Sequence, residues 1–159
     1  MIHSGIGYDV HPLKEGRPCV LGGVKIDHTR GPDGHSDADV LIHAIADALL
    51  GAIGEGDIGR HYPNSDPRWK DAPSLLFLQD IRTKLTARKA SIVNIDTTLI
   101  GEEPKILPHA PAMREKISTA LGINPHQINI KATTNERMGF IGRKEGIAAL
   151  AVAAVDIDI

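Results

Sequence analysis

The stretch Asp37–Ile53, DADVLIHAIADALLGAI, decides how the rest of the chain is organised. At 100° per residue its apolar side chains fall on one stripe, which predicts an amphipathic helix packed against a core. The residues of that stripe are Leu41, Ile45, Ala48, Leu49 and Ala52. His43 falls on the opposite side, one helical turn from Asp39 and from Asp47. The preceding tetrapeptide Ser36–Asp39 resembles a capping box and predicts the start of the helix.

Strand patterns lie on both sides of this helix. Ile2–Val10 reads as a strand whose Gly5 and Gly7 allow a backbone or a ligand to approach closely. Pro18–Leu21 and Val24–Ile26 flank two glycines, which predicts a hairpin. Three later strands are predicted at Ile92–Ile100, Gln127–Thr133 and Gly146–Ile159, and two later helices at Ser74–Arg88 and Pro111–Leu121.

This order of elements predicts an α/β (α+β) fold, a single-domain two-layer sandwich over residues 1–159 with a mixed sheet and three main helices. Aromatic residues make up only 3% of the chain, so the core has to be built from small aliphatic side chains. The alanine-rich last strand favours close packing against identical subunits.

Composition excludes several classes of protein. The formal net charge of −2 offers no basic field for nucleic acid, so we expect no nucleic-acid partner. A single cysteine, Cys19, excludes a disulfide framework and a multi-cysteine zinc site within one chain. No apolar run approaches the roughly 20 residues of a membrane span, and the first residues lack the pattern of a signal peptide. We therefore expect a cytoplasmic location and no membrane partner.

Asp9, His11 and His43 have the spacing of a metal site. Residues i and i+2 of a strand point to the same face, so Asp9 and His11 can converge on one ion. With His43 they offer two nitrogens and one carboxylate oxygen, which with an open fourth position is typical of catalytic zinc. Asp39 or Asp47 would orient the His43 imidazole. The alternative is three unrelated polar residues on the surface.

The segments after the first strand carry candidate anion-binding residues. His35 and Ser36 precede the helix, where backbone N–H groups attract phosphate or carboxylate. The alternative is that Ser36 only caps the helix and His35 lies in a loop. The segments Gly54–Gly59 and Tyr62–Pro67 have the glycines and turn formers of a ligand loop, and equally those of a surface turn.

Thr133–Glu136 follows a strand with two hydroxyls, an amide and a carboxylate. These groups suit phosphate oxygens and a hard cation such as magnesium, although a polar end of a strand is equally consistent. Arg143, between glycines, offers a planar cationic fork for phosphate, and its alternative is a solvated surface arginine.

Together these segments resemble a known family. The motifs are GYDVH at 7–11, GHSDAD at 34–39 followed by His43, DIG at 57–59 and TTNE at 133–136. In this order they are similar to the 2-C-methyl-D-erythritol 2,4-cyclodiphosphate synthases of the non-mevalonate isoprenoid pathway, from residue 5 to about residue 150. The resemblance implies a homotrimer with active sites at the subunit interfaces. It implies a phosphorus–oxygen lyase that converts 4-diphosphocytidyl-2-C-methyl-D-erythritol 2-phosphate to the 2,4-cyclodiphosphate and CMP.

The resemblance also implies roles for individual residues. Zinc would be held by Asp9, His11 and His43, and a second cation, magnesium or manganese, by Glu136. His35 and Thr134 would be catalytic, orienting and stabilising the transition state. Ser36 would bind the substrate, and the erythritol part would contact Asp57, Ile58, Gly59, Tyr62, Pro63, Asn64, Ser65 and Asp66. The cytidine end would contact Gly101, Pro104, Lys105, Leu107, Thr133 and Asn135.

Some members of the family bind an isoprenoid diphosphate in a cavity on the trimer axis. Phe140 and Arg143 match residues that line that cavity, whereas Leu150 stands where some members have glutamate. By resemblance, the protein is either a cytoplasmic bacterial enzyme or a plastid form whose transit peptide was removed.

Two other functions are compatible with the same residues. One is a zinc phosphohydrolase that uses the same three ligands with His35 as general base, and its product would be a linear phosphate. The other is a trimeric, non-catalytic binder of small molecules in which the metal is structural. The open fourth position and Glu136 argue against the binder, because structural zinc sites are normally closed.

Overall fold

The computed structural model describes residues 1–158. The strands are β1 (Ile2–Glu15), β2 (Cys19–Leu21), β3 (Val24–Ile26), β4 (Arg30–Pro32), β5 (Ala90–Ile100), β6 (Ile128–Thr133) and β7 (Gly146–Ile157). The helices are α1 (Val40–Ala52), α2 (Ile58–His61), α3 (Leu75–Ala87), α4 (Ala110–Leu121) and α5 (Gly139–Gly142). The three main helices predicted from the sequence are α1, α3 and α4.

Five strands form one sheet in the order β4-β1-β7-β5-β6. Within the described residues 1–158, β5 and β6 are the one parallel pair and the other neighbours are antiparallel, so the sheet is mixed as predicted. The short strands β2 and β3 form the predicted hairpin around Gly22 and Gly23. The last strand ends at Ile157, and Ile159, the predicted end, lies outside the described residues.

Helix α1 lies directly on β1 because two glycines remove the side chains between them. A Cβ at Gly5 would lie 1.9 Å from the Ala48 carbonyl oxygen, and one at Gly7 would lie 1.8 Å from that of Ala44. Neither distance is sterically allowed, so the close approach predicted from these glycines is confirmed. This contact fixes the height of α1 above the sheet.

The sequence prediction for the start of α1 was wrong by three residues. Asp39 is the N-cap, with extended backbone and a side chain that accepts a hydrogen bond from the Ile42 N–H. Ala38, just before it, has a φ of 57°, which is incompatible with a continuing helix. Strand β1 also runs five residues beyond the predicted end at Val10, because Leu13, Lys14 and Glu15 pair with β4.

The two faces of the sheet differ. On β1 and β7 one face packs under α1, and the buried core is dominated by aliphatic side chains. The opposite face carries exposed apolar side chains, which we call the outer apolar face: Ile6, Tyr8, Val10, Leu150 and Val152. None of the helices in the described part of the chain is long and apolar enough to cross a membrane.

Candidate functional site

Asp9 and His11 of β1 meet His43 of α1 at one point, which we call the metal triad. The Asp9 Oδ2 atom lies 2.9 Å from His11 Nε2 and 3.0 Å from His43 Nδ1. The two ring nitrogens lie 3.2 Å apart. The alternation of β1 turns Asp9 and His11 toward α1, on the same face as Gly5 and Gly7.

The other ring nitrogens of both histidines are occupied by protein acceptors. His11 Nδ1 lies 3.0 Å from the carbonyl oxygen of Asp33. Because a carbonyl can only accept, His11 Nδ1 carries a proton. His43 Nε2 lies 2.8 Å from the Ser74 hydroxyl and 3.2 Å from the Ser36 hydroxyl. A neutral His43 protonated on Nε2 and a neutral His11 protonated on Nδ1 direct two lone pairs at Asp9.

This arrangement fits a cation. Two imidazole lone pairs and a carboxylate oxygen repel one another at these distances unless a positive charge lies among them. A tetrahedral zinc with bonds of about 2.0–2.1 Å requires ligand atoms about 3.3 Å apart, close to the observed 2.9–3.2 Å. Burial raises the pKa of Asp9, but when His11 and His43 carry protons on the nitrogens that face it, their hydrogen bonds outweigh burial and hold that pKa at about 2. Asp9 is therefore ionised at neutral pH.

The prediction that Asp39 or Asp47 orients His43 was wrong. Asp39 is fully buried and accepts hydrogen bonds from the N–H groups of Gly22 and Gly23 as well as Ile42, so it fastens the β2–β3 hairpin to α1. Asp47 accepts from the Ile58 N–H at 2.8 Å. The hydroxyls of Ser36 and Ser74 contact His43 Nε2 instead, in the role predicted for these carboxylates.

Ser36 contacts the triad, and the neighbouring His35 has a different environment. His35 is partly exposed, and its Nε2 lies 3.2 Å from the carbonyl oxygen of Asp66. Ser36 is buried, and its hydroxyl accepts from the Ala38 N–H as well as contacting His43. Ser36 therefore belongs to the support of the triad, and it does not cap α1.

Of the two predicted ligand loops, the first follows the end of α1, and the second reaches His35 ahead of the start of α1. Asp57 caps α2 by accepting from the Arg60 N–H, and Ile58 and Gly59 form its first turn. Tyr62 is buried, stacks on Phe77 at 4.3 Å and donates its hydroxyl proton to Asp80, so that side chain faces inward. The remaining residues of this loop are partly or fully exposed: Pro63, Asn64, Ser65 and Asp66.

A separate cleft of about 240 Å³ joins the segments predicted for the cytidine end; we call it the nucleotide cleft. Its lining includes five predicted residues, Gly101, Pro104, Lys105, Leu107 and Thr133, and the predicted catalytic residue Thr134. A larger polar cavity of about 710 Å³ adjoins it at Thr134 and is lined also by Glu136, Arg137 and Lys144.

The loop after β6 is held in an unusual conformation. Glu136 and Arg137 have φ values of 51° and 60°, in the left-handed region. The Thr134 hydroxyl accepts from the Glu136 N–H, and the Asn135 side chain donates to the Met138 carbonyl. Consecutive non-glycine residues in this region store strain, which is characteristic of binding loops. The carboxylate of Glu136 stays exposed.

The metal triad and the nucleotide cleft lie at the same end of the sheet but on different strands. Val10 pairs with Ala148, which pairs with Ile100, which pairs with Thr133, so all four lie in one row. Three strand spacings of about 4.8 Å separate β1 from β6, or about 14 Å. Within residues 1–158, no hydrogen bond or ion pair joins the triad to Thr134 or Glu136.

The sequence matches one protein family over nearly its whole length. The sequence profile of the YgbB family matches residues 2–156. The chain belongs to the YgbB family. Among curated relatives, 2-C-methyl-D-erythritol 2,4-cyclodiphosphate synthase from Symbiobacterium thermophilum is 57% identical over 95% of this chain and 96% of the relative. The enzyme of the same name from Synechococcus elongatus is 53% identical over 94% and 93%. The resemblance read from the motifs is confirmed.

Solved structures of relatives share the fold. The bifunctional IspDF from Campylobacter jejuni superposes with a TM-score of 0.95 at 42% identity, covering 99% of this chain and 43% of that one. IspF from Plasmodium falciparum, solved as a CDP complex, gives a TM-score of 0.87 at 35% identity over 99% and 97% of the two chains. The Plasmodium structure thus shows that a relative with this fold binds CDP.

Sequence reasoning missed three residues that support the metal triad in this YgbB family chain: Asp33, Asp37 and Ser74. Asp33 acts through its backbone carbonyl, which any residue could supply, so its identity carries no signal. Ser74 sits at the predicted start of α3 and reads as a helix cap, yet its side chain makes no cap hydrogen bond. That hydroxyl is instead committed to His43 and Asp37.

Proposed function

We propose that this chain is a 2-C-methyl-D-erythritol 2,4-cyclodiphosphate synthase, a phosphorus–oxygen lyase of non-mevalonate isoprenoid biosynthesis. It converts 4-diphosphocytidyl-2-C-methyl-D-erythritol 2-phosphate to the cyclic diphosphate and CMP. The observation that carries the proposal is the metal triad, with its two histidine lone pairs and ionised carboxylate, at the same end of the sheet as the nucleotide cleft.

The chain holds its cations through a small number of residues. Asp9, His11 and His43 would hold zinc, since two nitrogens and one oxygen with an open position suit that metal. Glu136 would hold magnesium or manganese together with the diphosphate. Bound there, the two cations would act as Lewis acids that neutralise the charge of the diphosphate.

The reaction requires no protein nucleophile. An oxygen of the 2-phosphate forms a bond to the β-phosphorus, the bond from that phosphorus to the bridging oxygen breaks, and CMP leaves with the electron pair. The protein has to position these atoms and exclude water, because hydrolysis is the competing reaction. Cys19 takes no part, since it is buried and burial raises the pKa of its thiol to about 11.

The predicted contacts that line the two cavities or stay exposed have a place in this scheme. His35 and Thr134 orient the phosphates, with His35 steadied by the Asp66 carbonyl and Thr134 at the border of the two cavities. The exposed groups of the 57–66 loops contact the erythritol. Lys105, Leu107 and their neighbours in the nucleotide cleft bind the cytidine.

The active sites form between copies of the chain in a homotrimer. The outer apolar face pairs Ile6 with Val152 and Tyr8 with Leu150 across β1 and β7, and contiguous exposed apolar surface of this kind is typical of subunit interfaces. The separation of about 14 Å between β1, which carries two triad residues, and β6, which leads into the cleft, supports the same assembly. A triad from one copy and a cleft from its neighbour then share one substrate.

Two further expectations accompany this function. Residues 1–159 form a single catalytic domain, supported by one continuous core that runs from Cys19 to Ile157. An isoprenoid diphosphate binds on the trimer axis, where the exposed Phe140 and Arg143 would meet it beside the apolar Leu150.

The test is CMP release from the diphosphocytidyl substrate with magnesium, followed by phosphorus NMR of the products. We expect CMP together with a cyclic diphosphate. CMP with a linear phosphate would replace the synthase by a phosphohydrolase. A zinc-loaded trimer that releases no CMP would leave the non-catalytic binder.

A further inference from the structure

Ser74 connects His43 to a carboxylate that sequence reasoning did not assign to the site. The Ser74 side chain is fully buried, and its hydroxyl lies 2.8 Å from His43 Nε2. On its other side the same hydroxyl donates to Asp37 Oδ1. Asp37, Ser74 and His43 therefore form a continuous chain of hydrogen bonds that ends at the metal triad.

The carboxylate fixes the direction of this chain. An ionised carboxylate only accepts, so the Ser74 proton must point at Asp37. The Ser74 oxygen is then left with lone pairs, and it can only accept from His43 Nε2. His43 must consequently carry its proton on Nε2, which leaves the Nδ1 lone pair free toward Asp9 and His11.

Ser36 alone does not fix the direction of the hydrogen bond to His43. Its hydroxyl is farther from His43 Nε2, at 3.2 Å, and its oxygen already accepts from the Ala38 N–H. Neither contact fixes where the Ser36 proton points, so Ser36 could donate to His43 as readily as accept from it. The direction comes from the Ser74–Asp37 pair.

Asp37 is itself held rigidly. Its Oδ2 accepts from the Ser74 N–H at 2.9 Å, and its Oδ1 accepts from the Asp39 N–H at 3.1 Å. The pair of contacts to Ser74 fastens the start of α3 to the segment before α1. Helix α3 also places Phe77 beside the His43 ring, with centroids 5.9 Å apart. His43 is thus fixed in both tautomer and orientation by α3.

We propose that Ser74 and Asp37 are positioning residues for the metal ligand His43, and that they raise the affinity of the triad for zinc by holding its Nδ1 lone pair free. This inference rests on the proposed function in one respect, namely that the triad holds a metal. Partners of this kind typically change metal affinity 10- to 100-fold.

The test is zinc affinity, measured by competition between a chromophoric chelator and the zinc-loaded protein. S74A should bind zinc 10- to 100-fold more weakly than the natural chain. The matched control is S118A, because Ser118 is equally buried but donates to the Glu115 carbonyl on α4. We expect S118A to keep its zinc affinity within about twofold.

D37N keeps the shape of the side chain but replaces a carboxylate oxygen, which accepts hydrogen bonds from Ser74, by an amide NH2 group. If S74A does not fold, D37N tests the same loss of zinc affinity. Because the two residues act in series, the double variant should lose little more affinity than S74A alone. Losses that add in full, or natural affinity in S74A, would overturn the inference.

A spectroscopic signature separates positioning from a general structural role. In the zinc-loaded protein, the His43 proton on Nε2 should give a downfield proton NMR signal that exchanges slowly with water. In S74A this signal should move upfield or exchange faster, while in S118A it should stay. An unchanged signal in S74A would contradict the proposal. Neither readout requires substrate, so a natural chain that binds zinc this way but releases no CMP would refute the function and leave the inference standing.

Discussion

The metal triad and the nucleotide cleft lie at the same end of one sheet, yet they are constructed in opposite ways. The triad sits between β1 and α1, and the side chain of His43 is only 7% exposed. Every ring nitrogen there has a partner inside the chain. The cleft is formed by loops whose functional side chains, including Lys105 and Thr134, are exposed.

The forces that hold the two regions differ accordingly. Gly5 and Gly7 bring α1 into backbone contact with β1, so packing fixes the triad. The loops of the cleft are tied by surface charges: Glu103 accepts from Arg30 at 2.7 Å and lies 3.0 Å from the Lys144 ammonium. Exposed ion pairs of this kind stabilise weakly.

This difference indicates what each region contributes to the reaction. A metal site gains from ligands that are already in place, whereas a substrate pocket has to admit the substrate and release the product. The three ligands of the triad come together within one chain, whereas under the proposed function the cleft is completed by a neighbouring copy.

The largest effect should come from removing one ligand of the metal triad. Zinc sites with four ligands bind with roughly 10–16 kcal/mol, so loss of one ligand costs a few kcal/mol and more than about 100-fold in affinity. In H43A we expect zinc content to fall and CMP release to drop below detection. The checks are elemental analysis and the CMP assay, with H126A as control because His126 lies on an exposed turn. Full zinc occupancy in H43A would show that the ligand assignment is wrong.

The second prediction tests whether the two regions of a site come from different copies. H43A inactivates the triad and T134A the cleft, so each variant alone should be inactive. If each site pairs a triad with the cleft of the neighbouring copy, every mixed trimer contains one intact site. Co-refolding equal amounts should then recover about a quarter of the natural CMP release.

A double variant H43A/T134A mixed with inactive T134A provides the control for that recovery, because no intact site can form in that mixture. If co-refolded single variants stay inactive while forming mixed trimers, the shared site is wrong and both regions act within one chain.

The contrast between the regions also explains which features the sequence made predictable. The strand alternation of Asp9 and His11 and the helical position of His43 are local, so the triad could be proposed from spacing alone. The glycines of β1 signalled the close approach of a backbone or a ligand, and the structure shows that the approaching backbone is that of α1. The loops 101–107 and 133–136 were joined only through the family resemblance, since their meeting depends on the parallel pairing of β5 and β6.

The errors about the partners of His43 share one physical origin. His43 was placed on a polar face of α1, with Asp39 and Asp47 as its partners. In the structure this helix is buried on nearly all sides, so the face opposite the apolar stripe meets protein instead of solvent. The partners of His43 then come from segments distant in sequence, Ser36 and Ser74, which helical periodicity cannot reveal.

The third prediction concerns the exposed carboxylate of the cleft region. Proteins usually bind magnesium through one or two carboxylates, and E136Q removes one. About tenfold more magnesium should therefore be needed for half-maximal CMP release. Zinc content should be unchanged, because Glu136 lies outside the triad. The measurement is a magnesium titration of zinc-loaded protein, with E115Q on the exposed side of α4 as control. An unshifted titration would remove Glu136 from this role.

The smallest effect concerns the ion pairs that tie the loops of the cleft. Hydrogen bonds from Arg30 and Lys144 lower the pKa of Glu103 to about 2, against about 4.5 in an unfolded chain. A lowered native pKa contributes stability above pH 4.5 that is lost as the pH falls toward 2. Because Glu103 is 27% exposed, we expect this contribution to be less than about 1 kcal/mol. E103Q should therefore lower the unfolding temperature slightly at pH 7 and much less at pH 3, as followed by circular dichroism, and leave zinc affinity at pH 7 unchanged. A loss of zinc affinity in E103Q would show that the ion pairs of the cleft also hold the metal triad in place. The separate contacts of the two regions predict that they do not.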